Sequence, residues 1–180
     1  MYTKTISSPL GDLVLVSDGE YLTGLFIAGQ KYFMDGFSKE LHKKVDLEIF
    51  HMVEEWLKSY FAGANPNIKN IKLKPQGTIF RQIVWQELLN IPYSDTITYK
   101  ELGKKVAKTL GKSSMSSQAI GGAVGHNPIL IMIPCHRVIG TDGSLTGYAG
   151  GIDKKEYLLA LEQASVKGEN ENDKSRIKAE

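Results

Sequence analysis

The chain has 180 residues, a formal net charge of +2, and 42% hydrophobic against 23% charged residues, which excludes a disordered polyelectrolyte and suits one globular domain or two small ones packed together. No apolar run approaches the roughly 20 residues of a bilayer span, and Met1-Tyr2-Thr3-Lys4-Thr5 lacks the apolar core of a secretion signal, so a soluble, cytoplasmic protein without membrane contact is the expectation. One cysteine excludes an internal disulfide and a zinc site built on several thiolates.

The first 77 residues read as a small α+β unit. Thr3–Ile6, Leu13–Val16 and Tyr21–Ile27 read as strands separated by the turn signals Ser8-Pro9-Leu10-Gly11 and Ser17-Asp18-Gly19-Glu20, the pattern of an antiparallel meander. From Asp46 to Phe61, Leu47, Phe50, Val53, Trp56, Leu57, Tyr60 and Phe61 recur at helical spacing, and Gly63 ends the helix. Residues 64–77, with Pro66, Pro75 and Gly77, read as a linker. This unit carries no evident chemistry and is expected to be structural.

A second unit is expected over 78–162. Thr78 caps a helix that Ile91-Pro92 stops. A second helix runs from about Tyr99 to Lys108, and a polar turn separates it from a third at about Ser116–Gly125, which together make a helix-turn-helix pattern. Lys100, Lys104 and Lys108 are spaced i, i+4, i+8, so they form one basic stripe on the second helix. Gly121-Gly122 inside the third helix costs up to about 1 kcal/mol per glycine, which predicts close approach of another backbone, either a neighbouring strand or nucleic acid. Ile129–Ile133 reads as a buried strand leading into Pro134. Five glycines between Gly140 and Gly151 surround Leu145, Tyr148 and Ala149, a loop that offers backbone amides and can act as a lid. Asp153–Leu161 is a last amphipathic helix, and the polar residues 163–180 read as a disordered tail.

The cysteine lies in Ile133-Pro134-Cys135-His136-Arg137-Val138. A lone thiol is either a small buried hydrophobe or a nucleophile. Here a proton acceptor and a fixed positive charge follow it directly, and both can lower a thiol's pKa. His42, His51 and His126 show no ligand spacing and read as surface or capping residues; no metal and no cofactor is expected.

Residues Phe80 to Glu162 resemble the alkyltransferases that repair O6-alkylguanine in DNA. The resemblance rests on Ile97-Thr98-Tyr99, Ala119-Ile120-Gly121-Gly122-Ala123, Asn127-Pro128, Pro134-Cys135-His136-Arg137-Val138-Ile139-Gly140 and Leu145-Thr146-Gly147-Tyr148-Ala149-Gly150-Gly151, in family order and spacing. It implies an α+β fold, with a small N-terminal sheet-and-helix domain followed by a mostly helical, winged-helix-like DNA-binding domain. It also implies a monomer that acts on double-stranded DNA containing alkylated guanine, with O4-alkylthymine as a second candidate substrate. Cys135 would take the alkyl group once and irreversibly as a thioether, with His136 as its base, Glu162 orienting His136, and Tyr99 as donor to the departing guanine. Asn127, Pro134 and Arg137 would form the scaffold. Val138, Tyr148, Ala149 and Gly150 would hold the flipped base. Gln118, Ala119, Gly122 and Ala123 would enter the minor groove, with Lys100, Lys104 and Lys108 on phosphates. Where most of the family has an arginine to fill the gap left by the flipped base, this chain has Gln118, which can hydrogen-bond but brings no charge and no planar guanidinium. Relatives that carry zinc in the N-terminal domain hold it with cysteines, which this chain lacks there.

Two other classes remain beside this one. A cysteine hydrolase would show repeated turnover on an ester or amide. A pure DNA-binding module would keep full function with Cys135 replaced by alanine.

Overall fold

The computed structural model describes residues 1–37, 40–43 and 46–177, with the side chains beyond residue 168 left aside. Strands β1 (Tyr2–Ser8), β2 (Gly11–Ser17) and β3 (Leu22–Ile27) form the expected antiparallel meander. Gly11, at φ +95°, closes the first hairpin, where the Ser8 hydroxyl donates to the Gly11 carbonyl. A two-residue strand, β4 (His42–Lys43), adds in parallel to β1, giving the order β3-β2-β1-β4. So short a strand has no periodicity to read. Helix α1 (Glu48–Phe61) buries Phe50, Val53, Leu57 and Tyr60, close to the predicted face.

Every residue of β3 is buried, because the strand lies between its own sheet and the rest of the chain. Its outer edge is paired from both sides. Leu22 exchanges hydrogen bonds with Lys72 and Lys74 of the expected linker, and Leu25 N–H donates to the Pro128 carbonyl at 2.8 Å while Leu130 N–H donates back to Leu25 at 2.9 Å. One hydrophobic core therefore runs through both halves, from Leu13 and Phe50 to Val84, Ile120 and Leu158.

Helices α2 (Ile79–Leu89), α3 (Tyr99–Thr109) and α4 (Ser117–Gly125) start where capping chemistry dictates. Thr78 and Ser116 accept from the third backbone N–H of α2 and α4, and Thr98 with Glu101 forms a full capping box on α3. Trp85 of α2 is buried and donates to the Ala123 carbonyl at 2.9 Å, which fixes α4 across α2. β5 (Ile97–Thr98) and β6 (Val138–Ile139) form a short parallel pair that joins the start of α3 to the Cys135 segment.

Two expectations are corrected. Ile129–Ile133 is buried but is not a strand: Ile129 makes one isolated bridge to Leu25, and the chain then turns through Ile131 at φ +69°. Asn127 closes that turn, accepting from Ile129 N–H at 3.0 Å and donating to the Ile133 carbonyl at 2.8 Å, so the backbone is satisfied without a ladder. The last helix, α5 (Ile152–Ile177), also runs on through most of the expected disordered tail. A helix already nucleated propagates at little cost, and Ser165 at the start of the extension accepts from the Tyr93 hydroxyl at 3.4 Å. Residues 178–180 of that tail lie outside the described residues.

Candidate active site

The closed turn after α4 delivers Cys135 into a single turn of 3-10 helix, Cys135–Arg137, behind Pro134. Cys135 is 3% exposed. The same Asn127 amide that binds the Ile133 carbonyl also donates to Cys135 Sγ at 3.2 Å. Asn127 thus builds the turn and points a hydrogen bond at the sulfur.

His136 and Glu162 are both fully buried. His136 Nε2 lies 2.8 Å from Glu162 Oε1. An ionised carboxylate only accepts, so Nε2 carries the imidazole proton and Nδ1 holds the lone pair. Nδ1 is buried and has no hydrogen-bond partner among the described residues. Glu162 is surrounded by donors. Arg137 gives it Nε at 3.0 Å and Nη2 at 2.9 Å, the Tyr60 hydroxyl donates at 2.6 Å, and the Ser94 backbone N–H donates at 3.0 Å. The remaining Arg137 branch donates to the Ile91 carbonyl at 2.7 Å.

These contacts set the electrostatics. Burial would raise the Glu162 pKa, but hydrogen bonds from His136 and Arg137 outweigh it and bring it down to about 2. Burial lowers the His136 pKa against the support of Glu162, so the imidazole rests neutral. Burial pushes the Cys135 thiol up to about 11, opposed by the Asn127 hydrogen bond and the charge of Lys155. The expected thiolate-favouring role of Arg137 is therefore corrected. Its guanidinium is spent on Glu162 and Ile91, and the cation felt by the sulfur is Lys155.

Lys155 is fully buried on α5 and donates to the Val138 carbonyl and, at 2.7 Å, to the Thr146 carbonyl. Burial brings its pKa down to about 8. Thr146 O also accepts from the Tyr99 hydroxyl at 3.0 Å, so one carbonyl ties α3, the glycine loop and α5 together. Burial, with the nearby Cys135, raises Tyr99 to about 12, which keeps it a donor. Gly147 is required there: it sits at φ +73°, and a Cβ would lie 2.3 Å from the Tyr99 hydroxyl. Tyr148 is buried with its ring edge-on to His136, 6.4 Å between centroids. Ala149 accepts from Lys31 N–H of the N-terminal half, and Gly150 packs so closely on Tyr148 and Ile27 that a Cβ would clash with both. Of the four residues expected to hold the base, Val138 directly follows the cysteine turn and Tyr148 faces His136, while Ala149 and Gly150 dock the loop on the N-terminal half.

Beside the Tyr99–Gly147 contact lies a cleft of about 840 Å³, lined by Tyr99, Lys100, Lys104, Ser117, Gly121 and Gly147 among others, with Cys135, Val138, Tyr148, Ala149 and Gly150 outside its lining. Among the described residues, a Cβ at Gly121 or Gly122 would meet nothing within 4 Å, so no neighbouring strand packs against that face and the neighbouring-strand expectation is set aside. Gln118, Ala119 and Gly122 are exposed on the same helix. Ala123 is not: it is 2% exposed and packed under Trp85, which corrects its assignment to the outer face. Lys100, Lys104 and Lys108 are all exposed, but Lys108 lies beyond the cleft lining.

Sequence reasoning missed Lys155 and Tyr60. For Lys155 a signal existed, since residues 155, 158 and 162 share one helix face with the buried Leu158, and a lysine on an apolar face invites a reason. For Tyr60 there was none, because it repeats with Val53 and Leu57 like any core aromatic.

Comparison with known proteins agrees with this layout. The ribonuclease-like domain of 6-O-methylguanine DNA methyltransferase matches residues 1–75, and the DNA binding domain of the same family matches residues 79–164. The methylated-DNA–protein-cysteine methyltransferase of Haemophilus influenzae is 39% identical over 163 residues, covering 91% of this chain and 87% of the relative. That of Methanosarcina barkeri is 41% identical over 168 residues, covering 93% and 100%. The crystal structure of Mycobacterium tuberculosis OGT in complex with DNA superposes with a TM-score of 0.78 at 39% identity, covering 92% of this chain and 94% of that one.

Proposed function

The chain belongs to the 6-O-methylguanine DNA methyltransferase family, and from that premise we propose that Cys135 receives the alkyl group with His136, Glu162 and Tyr99 in the roles their contacts suit. The protein is a methylated-DNA–protein-cysteine methyltransferase that repairs DNA by direct reversal, moving an alkyl group from the guanine oxygen to its own cysteine.

One observation carries the assignment of roles. Cys135 Sγ is held by Asn127 next to a histidine whose Nε2 is locked on Glu162 and whose Nδ1 lone pair is free. A buried thiol with a pKa near 11 stays protonated at rest, so a thiolate forms only by handing its proton to a base at the moment of attack. His136 Nδ1 takes that proton, directly or through one water. Sulfur then bonds to the alkyl carbon as the carbon–O6 bond breaks, and Tyr99 stabilises the guanine anion by hydrogen bonding. The thioether is not reversed by water, so each chain acts once.

O6 is out of reach inside a duplex, so the alkylated guanine is extruded into the cleft. Val138, Tyr148, Ala149 and Gly150 line its pocket. The exposed face of α4 enters the minor groove. Open space at the Cβ positions of Gly121 and Gly122 supports this, because a helix face without side chains leaves room for a sugar-phosphate wall. Gln118 hydrogen-bonds the orphaned cytosine, and Lys100 and Lys104 at the cleft, with Lys108 further along, meet phosphates. The protein works as a monomer in the cytoplasm, with O6-alkylguanine as its substrate and O4-alkylthymine as a second candidate.

The test is the intact mass of the protein after incubation with an O6-methylguanine duplex, alongside Cys135→Ala. A gain of one methylene unit per chain, saturating at one and absent from Cys135→Ala, is expected. No mass change while both proteins bind the duplex would leave a lesion-binding module instead.

A further inference from the structure

One side chain of the N-terminal half enters the catalytic cluster. Tyr60, in the last turn of α1, is 1% exposed and places its hydroxyl 2.6 Å from Glu162 Oε1 and 3.5 Å from His136 Nε2. Its ring is fixed from three sides: stacked on Trp56 with centroids 5.2 Å apart, and edge-on to Phe61 and Tyr93. Trp56 is itself anchored by donating to the Pro66 carbonyl at 3.0 Å. The hydroxyl is therefore held in place without help from Glu162.

Oε1 of Glu162 accepts from three donors, His136 Nε2, Arg137 Nη2 and Tyr60, whereas Oε2 accepts from Arg137 Nε and Ser94 N–H. We propose that Tyr60 is a positioning residue for alkyl transfer, which pins Oε1 beside His136 and shares its charge so that the imidazole keeps the Nε2–H tautomer yet rests neutral, with Nδ1 free for the thiol. This rests on the reading of His136 and Glu162 given above. Burial and the adjacent Glu162 push the phenol far above its ordinary pKa, so it stays a donor at every working pH.

Sharing matters because a carboxylate with fewer donors is a stronger base and draws a proton onto the imidazole. The groups that face His136 are Glu162 and Lys155 from α5, Cys135 and Arg137 from its own turn, Tyr60 from α1 and Tyr148 from the glycine loop, with Tyr93 over the Arg137 guanidinium. Among these, Tyr60 is the neutral donor to Oε1 that can be removed by one atom. Tyr60→Phe keeps the packed ring and deletes only the hydroxyl.

The experiment measures the second-order rate of methyl transfer from an O6-methylguanine duplex across pH for wild type, Tyr60→Phe, Glu162→Gln and the double variant, with melting temperatures alongside. Tyr60→Phe is expected to slow transfer about tenfold at neutral pH, the scale of one hydrogen bond to a charged group. The acid limb of its pH–rate profile is expected to move to higher pH. Because the hydroxyl acts through the carboxylate, adding Tyr60→Phe to Glu162→Gln is expected to cause no further loss. A Tyr60→Phe protein with wild-type rate and profile but a lower melting temperature would overturn the proposal, as would a full additional loss in the double variant. Wild-type transfer by Glu162→Gln would instead overturn the roles given to His136 and Glu162, and this proposal with them.

Discussion

The two sides of Cys135 are built on opposite principles. Behind it, the Glu162 cluster is buried and saturated: both carboxylate oxygens are taken, Arg137 uses Nε, Nη1 and Nη2, and the ring of Tyr60 packs between those of Trp56 and Tyr93. In front, the cleft is open, lined by lysines, serines and glycines, and the face of α4 that borders it carries almost no side chain. The rear has to hold one proton acceptor in one orientation, which needs every polar group matched. The front has to admit a bulky, flat and highly charged polymer, which needs space and positive charge. On the proposed function, the duplex is bound in front of the sulfur, while the matched polar cluster lies behind it.

That contrast can be broken most severely at the rear. Arg137→Ala leaves the buried Glu162 without its cation, and a loss of about 3–5 kcal/mol is expected in denaturant titration. A loss below about 1 kcal/mol would mean the cluster is not the rigid element described. In the unaltered protein the pKa of Glu162 is about 2 when folded against an ordinary 4.5, so its contribution is complete above pH 4.5 and is lost as pH falls toward 2. That contribution is roughly 3 kcal/mol, and acid titration of stability should show this limb in wild type and lose it in Glu162→Gln.

The front answers differently. Gly122→Leu meets no protein atom at Cβ and removes a helix-interior glycine, so stability is expected to rise by up to about 1 kcal/mol while duplex affinity falls. Stability and binding moving in opposite directions is the signature of a face kept bare for a partner, and unchanged affinity would remove α4 from the interface. The smallest effect is expected at Lys104→Ala. It should leave the melting temperature near wild type and lower the slope of log affinity against log salt by about 1. An unchanged slope would place this lysine away from phosphate.

Much of the site was legible because its pieces are adjacent in sequence or carry local rules. Thr78 marks a helix start by capping, and the structure has α2 beginning one residue after it. The strand misread at Ile129–Ile133 shows the limit. Five apolar residues suit a buried strand or a buried turn equally, and the choice was made by Asn127, whose side chain bonds inside the turn. Ala123 failed for a related reason: a small residue beside Gly122 looks as bare as its neighbour until Trp85 arrives from 38 residues away.

The amino-acid sequence by itself determined the helix-turn-helix and the basic neighbours of the lone thiol, since each depends on residues within a turn or two of one another; the roles of Cys135 and His136 came from the resemblance of the longer segment, and what faces Gly121-Gly122 stayed open between a strand and nucleic acid. Only the tertiary structure decided that Arg137 serves Glu162 and not the thiol, that Lys155 is the buried cation, and that Tyr60 reaches the carboxylate from the other half of the chain. Those outcomes depend on burial, and burial is a sum over contacts between distant segments that no local pattern encodes.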